Sequence, residues 1–208
     1  MDISISPMSL NKVRKEKPET WNMAASYVVG AVVQHSLELL AYAEHSSDLC
    51  QREINIIFEQ LVGDIFDSKE IGMHASRLEM FETIGANGLI GYANETKVSV
   101  KEAGMHLLNT VVGKQRMYGH GNISRFGVPG LAIRLNDKLE RLKNLQKHDG
   151  PVLFEPIHDT WLDICGYSVI AVMWVIMMTS GWYLATSKSL SGSTMMVRSA
   201  IAITRVAL

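Results

Sequence analysis

The chain has little that would staple a fold or mark a familiar site. It has two cysteines, Cys50 and Cys165, in 208 residues. Both lie in apolar helical patterns with no Cys-x-x-Cys or Cys/His ligand spacing, so neither a disulfide framework nor a zinc site is indicated. They read as reduced core residues of a cytoplasmic protein. No segment alternates apolar and polar residues at period two between turn signals, which excludes a sheet and leaves an all-α fold. There is no P-loop, no dinucleotide-type glycine fingerprint and no internal repeat. A global charge imbalance is missing too. With 20 basic and 21 acidic residues the net charge is -1, so no overall field recruits duplex nucleic acid or an anionic membrane, and any recognition by charge is local. The N-terminus lacks the apolar stretch after basic residues that a secretory signal needs, and cytoplasmic residence is expected.

What is present is enough apolar residue for one core. A single helical bundle of about six helices is expected, with residues 1–20 a flexible polar arm, 21–98 an N-terminal helical region, 99–187 a second helical module and 188–208 a tail. Val28, Val29, Val32, Val33, Leu37 and Leu40 place a helix with a wide buried face from Trp21 to about Glu44. Asp48 and Gln51 form a capping-box pattern opening a helix to about Phe66, and Ser68 caps a third to about Ile84. Gly85 to Asn94 carries three glycines and two asparagines in ten residues, the composition of a loop. Ser99 and Glu102 form another capping box, opening a helix that ends near Tyr118-Gly-His-Gly121. Asn122 to Gly130 reads as a loop, followed by a basic helix from about Leu131 to Lys147. A last helix has Pro156 in its first position. It runs into Ile164 to Ser187, 24 residues without Asp, Glu, Lys or Arg. That run meets the length test for a membrane span, but a buried central helix of an all-α core shows the same uniform apolarity. The core helix is the expected reading, and a small membrane-anchored protein is the alternative.

Charge is arranged conspicuously around this run. Glu155, Asp159 and Asp163 recur at steps of four, each ~400° around a helix, so they drift by only about 40° per step and share a face that Tyr167 continues. The helix dipole accounts for acids in a first turn, but Asp163 is two turns in and abuts the apolar run. A partly buried carboxylate needs a partner, either a divalent metal or a cation. Arg134, Lys138 and Arg141, at i, i+4 and i+7, offer a basic face on the preceding helix. One reading is a salt-bridge ladder between the two helices. The other is a site in which Glu155, Asp159 and Asp163 hold Mg²⁺ while the basic face neutralises a phosphate. In the latter, Asp163, Asp137 and Glu140 are the candidate catalytic groups. Before these helices, Lys114-Gln-Arg-Met-Tyr-Gly-His-Gly-Asn122 supplies further candidate contacts: Arg116 for phosphate, Tyr118 to stack on a base, and Gly119 for close backbone approach beside Asn122.

Tyr118-Gly-His-Gly-Asn122, Phe126-Gly127, Arg134-Leu-Asn-Asp-Lys-Leu-Glu-Arg-Leu-Lys-Asn144 and Glu155-Pro-Ile-His-Asp-Thr-Trp-Leu-Asp-Ile-Cys-Gly-Tyr167 together resemble the nucleotide modification associated domain found widely in bacteriophages. The resemblance spans about residues 100 to 180. It implies a role in nucleotide metabolism during phage infection, in the host cytoplasm, with Tyr118, Gly119, Asn122, Arg134, Lys138, Arg141 and Tyr167 binding a nucleotide or deoxynucleotide. The carboxylate-rich helix is also distantly similar to the MazG-like all-α nucleoside triphosphate pyrophosphatases, although their Glu-x-x-Glu signature followed by Glu-x-x-Asp is missing. Two functions are therefore expected as rivals: a Mg²⁺-dependent nucleotide hydrolase or modifying enzyme, and a module that binds or sequesters the nucleotide unchanged. A homodimer is compatible with either.

Overall fold

The structure, a computed structural model, describes residues 18–67, 75–118, 121–147 and 155–179. They form six α-helices: α1 (Pro18–Tyr42), α2 (Ser47–Phe66), α3 (Ala75–Thr96), α4 (Val100–Tyr118), α5 (Gly121–Lys147) and α6 (Ile157–Thr179). No strand occurs among the described residues, and the protein is the expected all-α helical domain. A single core runs from Trp21 to Met173 and takes side chains from all six helices. The first helix begins at Pro18, within the stretch expected to be an arm, while residues 1–17 and the tail 188–208 lie outside the described residues.

Helix starts follow local chemistry. At α2 the cap is Ser46, whose hydroxyl accepts from the Leu49 amide at 3.2 Å. This displaces the expected Asp48 box: Asp48 sits in the first turn, and Gln51 is buried rather than reaching back. Before α4 the expected box is formed, with Ser99 N donating to Glu102 Oε2 at 2.9 Å and Glu102 N donating to Ser99 Oγ at 3.2 Å. These bonds hold the Glu102 carboxyl below its usual range.

The largest departure from expectation is α3. The glycine-rich stretch is not a loop; it is helical to Thr96, and Ser68, the expected cap of this helix, lies outside the described residues. Gly88 and Gly91 are spaced by three and press directly on α6. A Cβ on Gly91 would stand 2.4 Å from Trp161 Cε3, and one on Gly88 would stand 2.9 Å from Cys165 Sγ. Each glycine costs a helix about 1 kcal/mol relative to alanine. That cost is offset by a close approach that buries Trp161, Ile164 and Cys165 against the Gly88 and Gly91 surface of α3.

The expected loop at 122–130 is also helical, with one break. Gly127 has φ 58 and ψ -145, which divides α5 into a short first segment and the basic helix. Pro129 falls in the first turn of the second segment, where a missing N–H costs nothing. At α6, Pro156 stands just outside the helix, its carbonyl accepting from Asp159 N at 3.1 Å. The apolar run serves as a core helix as far as it is described: Ile164, Cys165, Val169 and Val172 are inaccessible or nearly so. Residues 180–187 lie outside the described residues. Among the described residues, Trp21–Tyr42 is the helix long and apolar enough to cross a membrane. Here it contributes Val28, Val29 and Val32 to the core. The two thiols are buried as expected, and burial pushes Cys50 up to about 12 and Cys165 well above the ordinary thiol range.

Candidate functional site: a cavity between the fourth, fifth and sixth helices

The α6 helix has two working faces. Trp161, Ile164, Cys165 and Ser168 turn toward the core, whereas Leu162, Asp163, Gly166, Tyr167 and Ile170 are half-buried along an adjacent stripe. That second stripe is one wall of a cavity of about 670 Å³. From α4 come Thr110, Val111, Lys114, Gln115 and Tyr118; from α5 come Phe126, Gly130, Leu131, Ile133 and Arg134. The volume falls within the ~300–1,000 Å³ of small-molecule sites. The kink at Gly127 positions the α5 wall, because Phe126 lies before it and Leu131 and Arg134 after it.

Asp163 is the electrostatic centre. It is 12% exposed and has two cations on it: Lys114 Nζ donates to Oδ1, and Lys138 Nζ lies 2.7 Å from Oδ2. Burial by itself would raise the Asp163 carboxyl, and it is the largest single influence. The hydrogen bonds and charges of Lys114 and Lys138 together overcome it and hold the group below its ordinary value, so it is ionised at neutral pH. For Lys138, burial opposes the charge, but Asp163, Glu155 and Tyr167 more than offset this and raise its pKa.

The ladder then continues away from the cavity. Lys138 Nζ is 3.7 Å from Glu155 Oε2, and Arg141 Nη1 is 3.2 Å from the same oxygen. Arg141 also donates to Thr160 Oγ1 and to the Glu155 carbonyl. Two of the three expected cations thus tie α5 to the start of α6. The third, Arg134, is half-exposed in the cavity wall and lies 3.7 Å from Asp137 of its own helix.

The remaining sequence candidates divide clearly. Tyr118, Arg134, Asp163 and Tyr167 meet at the cavity, and Lys138 stands behind Asp163. Asp137 and Glu140 do not line it; they are about half-exposed and engaged with Arg134 and Lys143 respectively. Arg116 is exposed and outside the lining. Gly119 and the Asn122 side chain lie outside the described residues. The three acids do not converge, and no group of three His, Cys, Asp or Glu side chains is arranged to hold a metal ion among the described residues. Glu155 precedes the helix, so helical phase does not govern it, and it faces Lys138 and Arg141. Asp159 lies 3.8 Å from His158. Burial first, then the Asp159 charge, raises the Tyr92 pKa.

Sequence reasoning missed Lys114 as a partner of Asp163, along with Gln115 and Phe126 as lining residues. The signal lay in register: Leu107, Val111 and Gln115 share the buried stripe of α4, with Thr110, Lys114 and Tyr118 on its edge. No protein-family model matches this chain, and comparisons with curated proteins and with solved structures find no match either.

Proposed function

We propose that this protein binds a nucleoside or deoxynucleoside phosphate in the cavity between α4, α5 and α6. The observation that carries this reading is the pairing of two unlike surfaces in one concavity. Tyr118, Phe126 and Tyr167 stand with Leu131, Leu162 and Ile170 as apolar and aromatic walls, while Lys114 and Arg134 bring exposed cations to the same space. A planar base suits the first surface by stacking, and a phosphate suits the second by charge-assisted hydrogen bonds. Within the Lys114, Asp163 and Lys138 cluster the formal sum is +1, and Arg134, partly offset by Asp137, adds positive charge to the wall. A modest local excess of positive charge suits a single phosphate group.

Binding without turnover is the favoured reading. For Asp163 to act as a Mg²⁺ ligand it must give up two ammonium partners, and a carboxylate whose pKa these partners lower is a weaker general base. Its role here is to orient Lys114 toward the cavity and to neutralise part of the cation cluster until an anion arrives. The test is calorimetric titration with deoxynucleoside monophosphates in the presence of EDTA, followed by recovery of the ligand. The expected result is saturable, metal-independent binding with the ligand returned unaltered. Conversion of the nucleotide on addition of Mg²⁺, lost in Asp163→Asn, would favour the enzymatic rival instead.

A further inference from the structure

The inner face of α4 is apolar from Val100 through Ala103, Gly104, Leu107 and Val111, and then ends on Gln115. Gln115 is only 6% exposed, yet it forms part of the cavity wall. Its Oε1 is buried and has no hydrogen-bond partner. Other buried amide oxygens lack a partner as well, on Gln51, Asn55 and Asn87, but none of those residues lines the cavity. An unsatisfied buried acceptor is unfavourable, and an apolar side chain of similar shape would remove the penalty at this position. A primary amide also presents a donor and an acceptor side by side, the pattern that pairs with the edge of a nucleobase.

We infer that Gln115 is the specificity-determining residue of the cavity, its amide turning from the buried orientation so that Oε1 reaches the cavity and pairs with the hydrogen-bonding edge of a base whose phosphate lies toward Lys114 and Arg134. The inference rests on the nucleotide reading above and adds to it a discrimination among bases. A site that hydrogen-bonds one edge rejects ligands that leave its amide unpaired, whereas stacking on Tyr118 or Phe126 tolerates every base. Lys114, the neighbour of Gln115 in sequence, acts on the phosphate and so affects all bases alike.

The experiment measures the affinity of the full chain for dAMP, dGMP, dCMP and dTMP, with 2-deoxyribose 5-phosphate as the probe that lacks a base. The wild type is expected to prefer one or two bases at least tenfold over the others. Gln115→Met is expected to reduce the spread among bases to about threefold, leave 2-deoxyribose 5-phosphate affinity unchanged and keep the melting temperature at or above the wild-type value. Lys114→Met is expected to weaken all four nucleotides evenly. Gln115→Glu, which retains acceptors but loses the donor, provides a second variant should the methionine fail to fold; a change in base ranking is expected of it. Base preference that survives in the variants, or equal binding of all four bases by the wild type, overturns the inference while the nucleotide reading stands. If no deoxynucleoside monophosphate binds, the nucleotide reading falls and the inference with it.

Discussion

At the scale of single residues, Asp163 shows how burial and pairing decide a role. Its place two turns into α6 is poorly explained by the helix dipole, which made it conspicuous in the sequence. In the structure two ammonium groups, Lys114 and Lys138, stand on it. Replacing it with asparagine leaves Lys138, 20% exposed, without its closest counter-charge. Asp163→Asn is expected to destabilise the fold by about 1–3 kcal/mol, read as a lower urea midpoint at unchanged slope. The pH dependence has a definite sign. Because the folded-state pKa of Asp163 is depressed, its contribution is complete above the ordinary carboxylate value of about 3.9 and is lost as pH falls through the lower folded value. Urea midpoints measured between pH 5 and pH 2 should therefore fall more steeply for the wild type than for Asp163→Asn; parallel curves would remove Asp163 from the account of acid stability. Lys138 and Arg141 were legible as partners of the acids because i, i+4 and i+7 spacing defines a face. Lys114 was not: the helix ends at Tyr118 as expected, but only the register of α4 beside α6 brings Lys114 to Asp163.

At the scale of elements, the stretch around Gly88 and Gly91 marks the limit of compositional reading. Three glycines and two asparagines in ten residues describe a loop well when only local preference counts. Tertiary packing overrides that preference here, since the glycines admit Trp161 and Cys165 of α6 to within reach of the α3 backbone. Gly91→Ala is expected to cost at least 1–3 kcal/mol, because the new methyl group has no room beside the Trp161 ring. Gly30→Ala on α1 is the control: its Cβ meets nothing within 4 Å, and a gain of about 0.5–1 kcal/mol is expected from helix propensity. Thermal melts of the two variants, moving in opposite directions, check the claim that α3 is a packed helix. Gly127 is a different case. Its Cβ also has open space, but φ is 58 and ψ is -145, a region essentially reserved for glycine, so Gly127→Ala is expected to cost about 1–3 kcal/mol through backbone strain alone. The same variant should weaken nucleotide binding, since the break at Gly127 sets Phe126 against Leu131 and Arg134.

At the scale of the whole molecule, the all-α class and the six helices among the described residues followed from hydrophobic periodicity, and so did the use of the described part of the last apolar run as a core helix. The cavity did not. It is formed where stripes of three helices diverge, and no single stripe announces it: Leu162, Gly166 and Ile170 on α6 look like ordinary core positions until α4 and α5 are set beside them. The ladder of Lys138, Arg141, Glu155 and Asp163 fixes the distance between α5 and α6, and α3 fixes α6 from the opposite side. This scaffold thus carries a concavity lined by two half-exposed, ion-paired cations, Lys114 and Arg134. An anionic ligand bound there should stabilise the fold by mass action, by about 2.7 kcal/mol at a hundredfold excess over Kd.

The central claim, that this cavity binds a nucleotide through cations and aromatic walls of its own, is tested most directly by titrating the full chain with deoxynucleoside monophosphates in EDTA, for the wild type and Lys114→Met. The account predicts saturable binding by the wild type at one site per chain, weakening with added salt, and at least tenfold lower affinity in a Lys114→Met protein that still unfolds cooperatively. No binding at millimolar nucleotide, or binding that Lys114→Met leaves intact, would contradict it.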